Sequence, residues 1–353
     1  MTEATPARNR PAAPEEPGLE PPDSTASGAT DADLQADLFE SLVESADYVD
    51  VRKPLPARSG GALQLATPEA IRDAFVAAWE GLSHSLHLGV GPSRALDSLR
   101  DLVVYDIPDG TRSTLSIPPT MDVETDAGMY CIALVHTLAS LGAQRAVLLT
   151  HTLYNRERGP EDTKRFLQIM AQGVEPFRGY ARRHGVRMNL HGIHEGYELG
   201  PLLSQAFPPP AEAKFDAHFL LEYEEEWFLT PQGRAVLEAL PEIDVVVRHT
   251  KLQVSGGWIP IRMRKSAYLY SQNGSLNSNW SYDEYATLAA VALAAKLFHS
   301  GEALTKQYVA VDEIKDRYLQ RELRLEQRVV RLREKPRKLF VFGSPTGLVQ
   351  VYA

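Results

Sequence analysis

A carboxylate and a guanidinium stand three residues apart in the segment Asp109-Gly110-Thr111-Arg112. Residues 103–107 before it are rich in Val and Ile, which predicts a buried strand that Pro108 ends. In α/β proteins, loops at the carboxyl ends of strands bind ligands, and an aspartate there can hold a divalent metal while an arginine grips a phosphate. An ordinary surface turn is an equally good interpretation of this stretch alone, because Asp-Gly is a common turn dipeptide.

Two later loops carry polar side chains of the same kinds, again directly after predicted strands. The first, residues 154–159, contains Asn155 and Arg158 and precedes a predicted helix. The second follows Arg248 and leads into a basic run that contains Arg264. Amide, carboxylate and guanidinium groups at the carboxyl ends of strands suit a phosphorylated ligand with a metal. Each charged run taken singly is more often solvated surface, so both interpretations stay open here.

The pattern of strands and helices predicts the scaffold that would gather these loops. Strand-like runs alternate with helical runs, which is typical of an α/β fold with a mostly parallel central sheet flanked by helices. Thr67-Pro68-Glu69 begins a helix that we expect to stop near Gly81, and Ser281 and Glu284 form a capping box. Further helices are predicted at 93–100, 125–141, 160–183, 231–240 and 311–334, strands at 103–107, 146–149, 186–190, 215–222, 243–248 and 267–271, and a terminal β-hairpin at 338–353.

Length and composition limit the classes of protein to which the chain can belong. Of 353 residues, 44% are hydrophobic, enough for a sizeable core, and the net charge of −9 argues against a nucleic-acid-binding surface. Residues 1–60 are predicted to be a disordered tail and linker, and residues 65–353 a single folded domain. The single cysteine, Cys131, excludes a disulfide framework and is predicted to be buried. With no membrane-spanning run and no signal-peptide core, we expect a cytoplasmic protein.

In their order along the chain, these segments resemble the signature segments of cis-prenyltransferases, the enzymes that make undecaprenyl diphosphate. Residues 107–112 resemble their Asp-Gly-Asn-Arg signature, and residues 154–158 resemble their Glu-Asn-x-x-Arg segment. Residues 243–248 resemble their Asp-Leu-Val-Ile-Arg strand, and residues 265–268 resemble their Gln-x-Ala-Tyr segment. The resemblance covers residues 102–297 and implies a cis-prenyltransferase-like fold and a homodimer.

Other features resemble a narrower group, the diterpene synthases of the tuberculosinol synthase (tuberculosinyl transferase) type. The Asp-Gly-Thr-Arg sequence is shared with that group, and residues 157–159 and the end of the chain through 340–343 are similar to it. The Arg-x-Ser with which cis-prenyltransferases bind isopentenyl diphosphate is missing from residues 252–258. The catalytic tyrosine of the narrower group is expected near Asp126, and Tyr130 lies one helical turn further on.

These resemblances imply a terpene synthase, in particular a diterpene synthase, that ionises a prenyl or labdane-type diphosphate. The carbocation would then lose a proton or capture water, with Asp126, Tyr130 or the released diphosphate as the base. The alternatives are a cis-prenyltransferase that uses isopentenyl diphosphate, and a non-catalytic prenyltransferase partner subunit. Asp109 would hold Mg²⁺, and the implied diphosphate-binding residues are Gly110, Thr111, Arg112, Asn155, Arg158, Arg248 and Arg264.

Overall fold

The described residues of the computed structural model form a nine-stranded sheet. The structure describes residues 65–108, 123–152, 178–192, 210–249, 256–271, 281–301, 326–336, 338–344 and 347–353. The helices are α1 (Pro68–Leu86), α2 (Pro92–Leu99), α3 (Val123–Ser140), α4 (Pro231–Ala239) and α5 (Tyr282–Gly301), with a 3₁₀-helix at Glu225–Leu229 and a helical segment at 178–184. The strands are β1 (Val103–Ile107), β2 (Arg145–Leu149), β3 (Val186–His191), β4 (Phe215–Leu220), β5 (Val245–His249), β6 (Ala267–Ser271), β7 (Glu326–Arg331), β8 (Leu339–Ser344) and β9 (Gly347–Tyr352).

The sheet is mostly parallel, with the strand order β3-β4-β2-β1-β5-β6-β8-β9-β7. Strands β1 to β6 all run in the same direction, and β8 joins β6 antiparallel. Strands β1 and β5 lie side by side in the middle and are buried along their whole length, as expected for apolar strands with both faces covered. The predicted α/β class with a mostly parallel central sheet is therefore confirmed.

One face of the sheet packs against α1, α3 and α5, and the other against α4 and the 3₁₀-helix. Helix α1 begins as predicted, because the Thr67 hydroxyl accepts a hydrogen bond from the Ala70 N–H at 3.3 Å. The predicted stop near Gly81 is wrong. The apolar stripe continues through the buried Leu82 and Leu86, so packing carries the helix past Gly81 to a left-handed residue, His87.

The C-terminal region differs from its predicted structure in one place. Residues 326–331, predicted to be the end of a charged helix, form strand β7 and pair in parallel with β9. The β-branched Val329 and Val330 favour a strand, and pairing with β9 buries Val330 in the core, so a long-range contact overrides the charged helical pattern. The terminal hairpin of β8 and β9 is confirmed. The rest of the predicted helix, at 311–325, lies outside the described residues.

Three further expectations concern the whole chain. The predicted tail and linker, 1–60, lie outside the described residues, so the division into a tail and a single domain stays a prediction. Cys131 is buried, as predicted. Within the described part of the chain, no helix has the length and hydropathy of a membrane span.

Candidate functional site

Parallel pairing brings the carboxyl ends of β1 and β5 together at one edge of the sheet. Ile107 lies opposite Arg248, and Asp106 lies opposite Val247. Because side chains alternate along a strand, Asp106 and His249 point to the face covered by α3, while Arg248 points to the opposite face. The carboxyl ends of the two central strands therefore carry polar side chains on both faces of the sheet.

Asp106, Tyr130 and His249 form a buried triangle, here called the Asp106 cluster. The Tyr130 hydroxyl donates to Asp106 Oδ2 at 3.1 Å, and His249 Nε2 lies 2.9 Å from the same oxygen and 3.0 Å from the hydroxyl. A carboxylate only accepts hydrogen bonds, so the His249 contact requires a proton on Nε2. Asp106 and His249 are fully buried, and the other oxygen, Asp106 Oδ1, meets no hydrogen-bond donor among the described residues.

The surroundings of Tyr130 keep its hydroxyl protonated. Burial raises the pKa of Tyr130 well above its ordinary value, and the negative charge of Asp106 raises it further. Tyr130 also packs against Tyr285 of α5, with ring centroids 5.5 Å apart, and edge-on against the His249 ring at 5.7 Å. A phenol held in this way acts as a hydrogen-bond donor at neutral pH and not as a base.

On the opposite face, Arg248 is 5% exposed and donates from Nη1 to the Gly256 carbonyl at 3.1 Å. The next residue, Gly257, donates its N–H to Glu225 Oε1 at 2.6 Å. Gly257 has φ +85°, and a Cβ there would lie 3.0 Å from a Leu149 methyl group, so this backbone segment needs glycine. The arrangement holds a guanidinium close to the carboxyl ends of β1 and β5.

The structure brings some predicted site residues together and separates others. Tyr130 and Arg248 lie at the same edge of the sheet, on its two faces, and Asp126 lies in the first turn of α3, one turn before Tyr130. Arg264 is exposed in the turn that precedes β6, at the opposite edge from Arg248. The remaining predicted residues lie outside the described part of the chain: Asp109, Gly110, Thr111, Arg112, Asn155 and Arg158.

Arg262, from the same basic run as Arg264, has a structural role. Its guanidinium donates to the carbonyls of Leu237 and Glu238 at the end of α4, and it pairs with Glu242 at 2.5 Å. Cationic groups favour helix carboxyl ends because they complement the helix dipole and satisfy the last carbonyls. The charge of Arg262 therefore stabilises the carboxyl end of α4, which lies at the opposite end of the strands from Arg248.

The sequence prediction did not single out Asp106 or His249. A signal was nevertheless present, because one aspartate interrupts the apolar run Val103-Val104-Tyr105-Asp106-Ile107, and an ionisable residue in a fully buried strand needs a partner. The identity of that partner depended on the pairing of β1 with β5, which brings together residues 143 positions apart.

Two histidines contact each other on the outermost strand β3 and its neighbour β4. His191 Nε2 is 3.0 Å from His218 Nδ1, and the two rings stack with centroids 5.3 Å apart. Burial lowers the pKa of His191 to about 4. Burial, followed by the charges of His191, Arg145 and Arg187, lowers the pKa of His218 to about 3. No group of three metal-ligating side chains occurs within the described ranges.

We expect the histidine pair to make the protein acid-sensitive. The unfolded chain binds protons at these two histidines near pH 6.5, whereas the folded chain binds them only near pH 3–4. The contribution of the pair to the free energy of unfolding is therefore complete above pH 6.5 and falls as the pH drops through this window. His218→Asn should reduce the stability lost between pH 7 and pH 4.5 by roughly 1–2 kcal/mol. Urea unfolding at the two pH values measures this, with the exposed His84 (His84→Asn) as the control; equal acid sensitivity of both variants would contradict it.

Comparisons with known proteins give a limited result. No protein-family model matches the chain, and no curated protein matches it. A solved structure of a probable undecaprenyl diphosphate synthase from Campylobacter jejuni is similar at TM-score 0.41 and 9% identity, covering 53% of this chain and 91% of the other. Lavandulyl diphosphate synthase from Lavandula x intermedia, in complex with dimethylallyl diphosphate, is similar at TM-score 0.42 and 13% identity, covering 57% and 97%.

Both neighbours are prenyl diphosphate synthases by name, and neither is named as a diterpene synthase. The narrower resemblance to tuberculosinol synthases therefore gains no support from them. At these TM-scores and identities, the similarity assigns neither a substrate nor a reaction to this chain.

Proposed function

We propose that this protein is an enzyme that cleaves the carbon–oxygen bond of an allylic prenyl diphosphate. The observation that carries the proposal is the buried Arg248 beside the end of β1, the strand that leads directly into Asp109-Gly110-Thr111-Arg112. A guanidinium near this edge of the sheet stabilises a diphosphate as it departs with the electrons of the broken bond. The order of the motifs supports the isoprenoid class.

In this proposal the loops that follow the strands hold the diphosphate. Gly110, Thr111, Arg112, Asn155 and Arg158 contact its oxygens, and Asp109 binds Mg²⁺. A single carboxylate suits this ion, because Mg²⁺ at phosphate sites usually takes one or two carboxylates and completes its shell with phosphate oxygens and water. When bound, the ion neutralises negative charge on the leaving diphosphate.

The first candidate for the next step is condensation with isopentenyl diphosphate, as in cis-prenyltransferases. It is supported by the order of the matching segments over residues 102–297. The second candidate is a terpene synthase in which the cation loses a proton or takes up water. Two observations favour the terpene synthase, because condensation needs a site for a second diphosphate. Arg264 is exposed and remote from Arg248, and Arg262 is bound to the end of α4, so neither joins Arg248 to form such a site.

The test is incubation of the purified chain with C10, C15, C20 and labdane-type diphosphates plus Mg²⁺, with and without labelled isopentenyl diphosphate. We expect diphosphate release by the wild-type protein and its loss in Asp109→Ala, because the metal ligand is removed. Label in the product identifies condensation, and an unlabelled hydrocarbon or alcohol identifies a terpene synthase. Wild-type-like turnover of Asp109→Ala would contradict the mechanism, and a wild-type protein inert towards every substrate would indicate a partner subunit.

A further inference from the structure

Among the described residues, no donor contacts one oxygen of the Asp106 carboxylate, although that oxygen is buried. Oδ2 has two close partners, the Tyr130 hydroxyl and His249 Nε2, whereas Oδ1 has none among the described residues. Burying an acceptor without a donor is unfavourable, so such an oxygen calls for a specific explanation. A ligand or a reacting group that supplies the missing hydrogen is one such explanation.

The cluster is built to hold this oxygen in one place. Asp106 is on the central strand β1 and His249 is the last residue of the neighbouring strand β5, and both side chains are fully buried. Tyr130 adds a contact from α3, so three separate elements fix the carboxylate. Both donors bind Oδ2, so the lone pairs of Oδ1, near the carboxyl ends of β1 and β5, meet no donor among the described residues.

We propose that Asp106 Oδ1 is the proton acceptor of the reaction, with Tyr130 and His249 as positioning residues. This inference rests on the proposed function, and it applies to condensation and to a terpene synthase that ends by proton loss. When the diphosphate leaves with the bonding electron pair, a carbocation remains, and in condensation the π electrons of the second substrate attack it and form a new cation. In either case a neighbouring C–H bond gives its electrons to a new double bond, and its proton moves to Oδ1.

This assignment differs from the sequence expectation, in which Asp126, Tyr130 or the released diphosphate was the base. The Tyr130 hydroxyl donates a hydrogen bond to Asp106 and burial raises its pKa, so Tyr130 keeps its proton and orients the carboxylate. The groups around Asp106 that matter for a pH profile come from α3, α5, β5 and β1. They are Tyr130, Cys131, Tyr285, His249 and Tyr105.

The experiment measures kcat, KM and pyrophosphate affinity for the full chain and three variants. Asp106→Asn keeps the shape of the side chain but cannot accept the proton, so we expect kcat to fall about 10²–10⁴-fold. KM and the calorimetric affinity for pyrophosphate should stay within a few-fold, since Asp106 faces away from Arg248. Tyr130→Phe should shift the acidic limb of the plot of kcat against pH, because the variant removes a hydrogen-bond donor to Asp106. Tyr180→Phe removes an equivalent hydroxyl from a buried Tyr–His contact elsewhere, 3.2 Å from His136, and should change none of these.

Three results would overturn the inference. The first is an Asp106→Asn variant with wild-type kcat, and the second is a fall in kcat matched by an equal loss of pyrophosphate affinity, which indicates a structural role. If Asp106→Asn does not fold, Tyr130→Phe decides, and an unchanged kcat profile for that variant is the third. A wild-type protein without turnover refutes the proposed function and the inference together, whereas an active wild type with unaffected variants refutes the inference alone.

Discussion

Arg248→Ala is expected to reduce kcat/KM for prenyl diphosphates by about 10²–10³-fold, the cost of removing one donor from a preorganised anion site. The guanidinium is buried beside the carboxyl ends of β1 and β5, where it is shielded from bulk water and its charge acts strongly on a nearby phosphate. Steady-state kinetics measures the loss, and calorimetry with pyrophosphate shows whether it arises in anion binding. Arg248→Lys keeps the charge but not the planar fork, so it should recover only part of the activity.

Arg264→Ala provides the matched control, because it removes the same side chain from an exposed turn at the other edge of the sheet. Its kcat/KM should stay within a few-fold of wild type. Circular dichroism of both variants separates loss of binding from loss of folding, since Arg248 also donates to the Gly256 carbonyl. A folded Arg248→Ala variant with wild-type pyrophosphate affinity would show that the anion binds elsewhere.

Glu284→Gln is expected to destabilise the fold by roughly 3–5 kcal/mol, the usual result of breaking a buried ion pair from one side. Glu284 Oε1 lies 3.8 Å from Lys338 Nζ, and both side chains are only 2% exposed. The same carboxylate accepts from the Ser281 N–H at 2.7 Å, which completes the predicted capping box of α5. Glutamine keeps an acceptor for that cap but removes the negative charge that faces Lys338 Nζ, so the loss reports mainly on the attraction between Glu284 and Lys338.

Urea unfolding of the single variants and of the double variant Glu284→Gln/Lys338→Met measures the coupling. The double variant should lose less stability than the sum of the two single variants, because it removes both charges of the pair together. The exposed pair of Arg333 and Asp283 at the same end of α5 is the control, and Arg333→Ala should cost at most about 1 kcal/mol. Strictly additive losses at Glu284 and Lys338 would contradict the prediction.

Apolar patterning and turn chemistry made much of the fold predictable. The Val- and Ile-rich runs at β1 and β5, the Thr67 cap and the Ser281–Glu284 box act through neighbours close in sequence, so they can be identified without a structure. The prediction failed at β7, because the pairing of β7 with β9 depends on residues distant along the chain.

The candidate site also has features that follow from local sequence and features that depend on long-range contacts. The sequence alone predicts which loops carry side chains suited to an anion and which strands those loops follow, since both are properties of short segments. Only the tertiary structure decided that Asp106 meets Tyr130 and His249, that Arg248 lies on the opposite face, and that Arg264 lies at the other edge. Strand order, and therefore which side chains of different strands meet, depends on contacts between residues that are distant along the chain, and a local pattern does not specify those contacts.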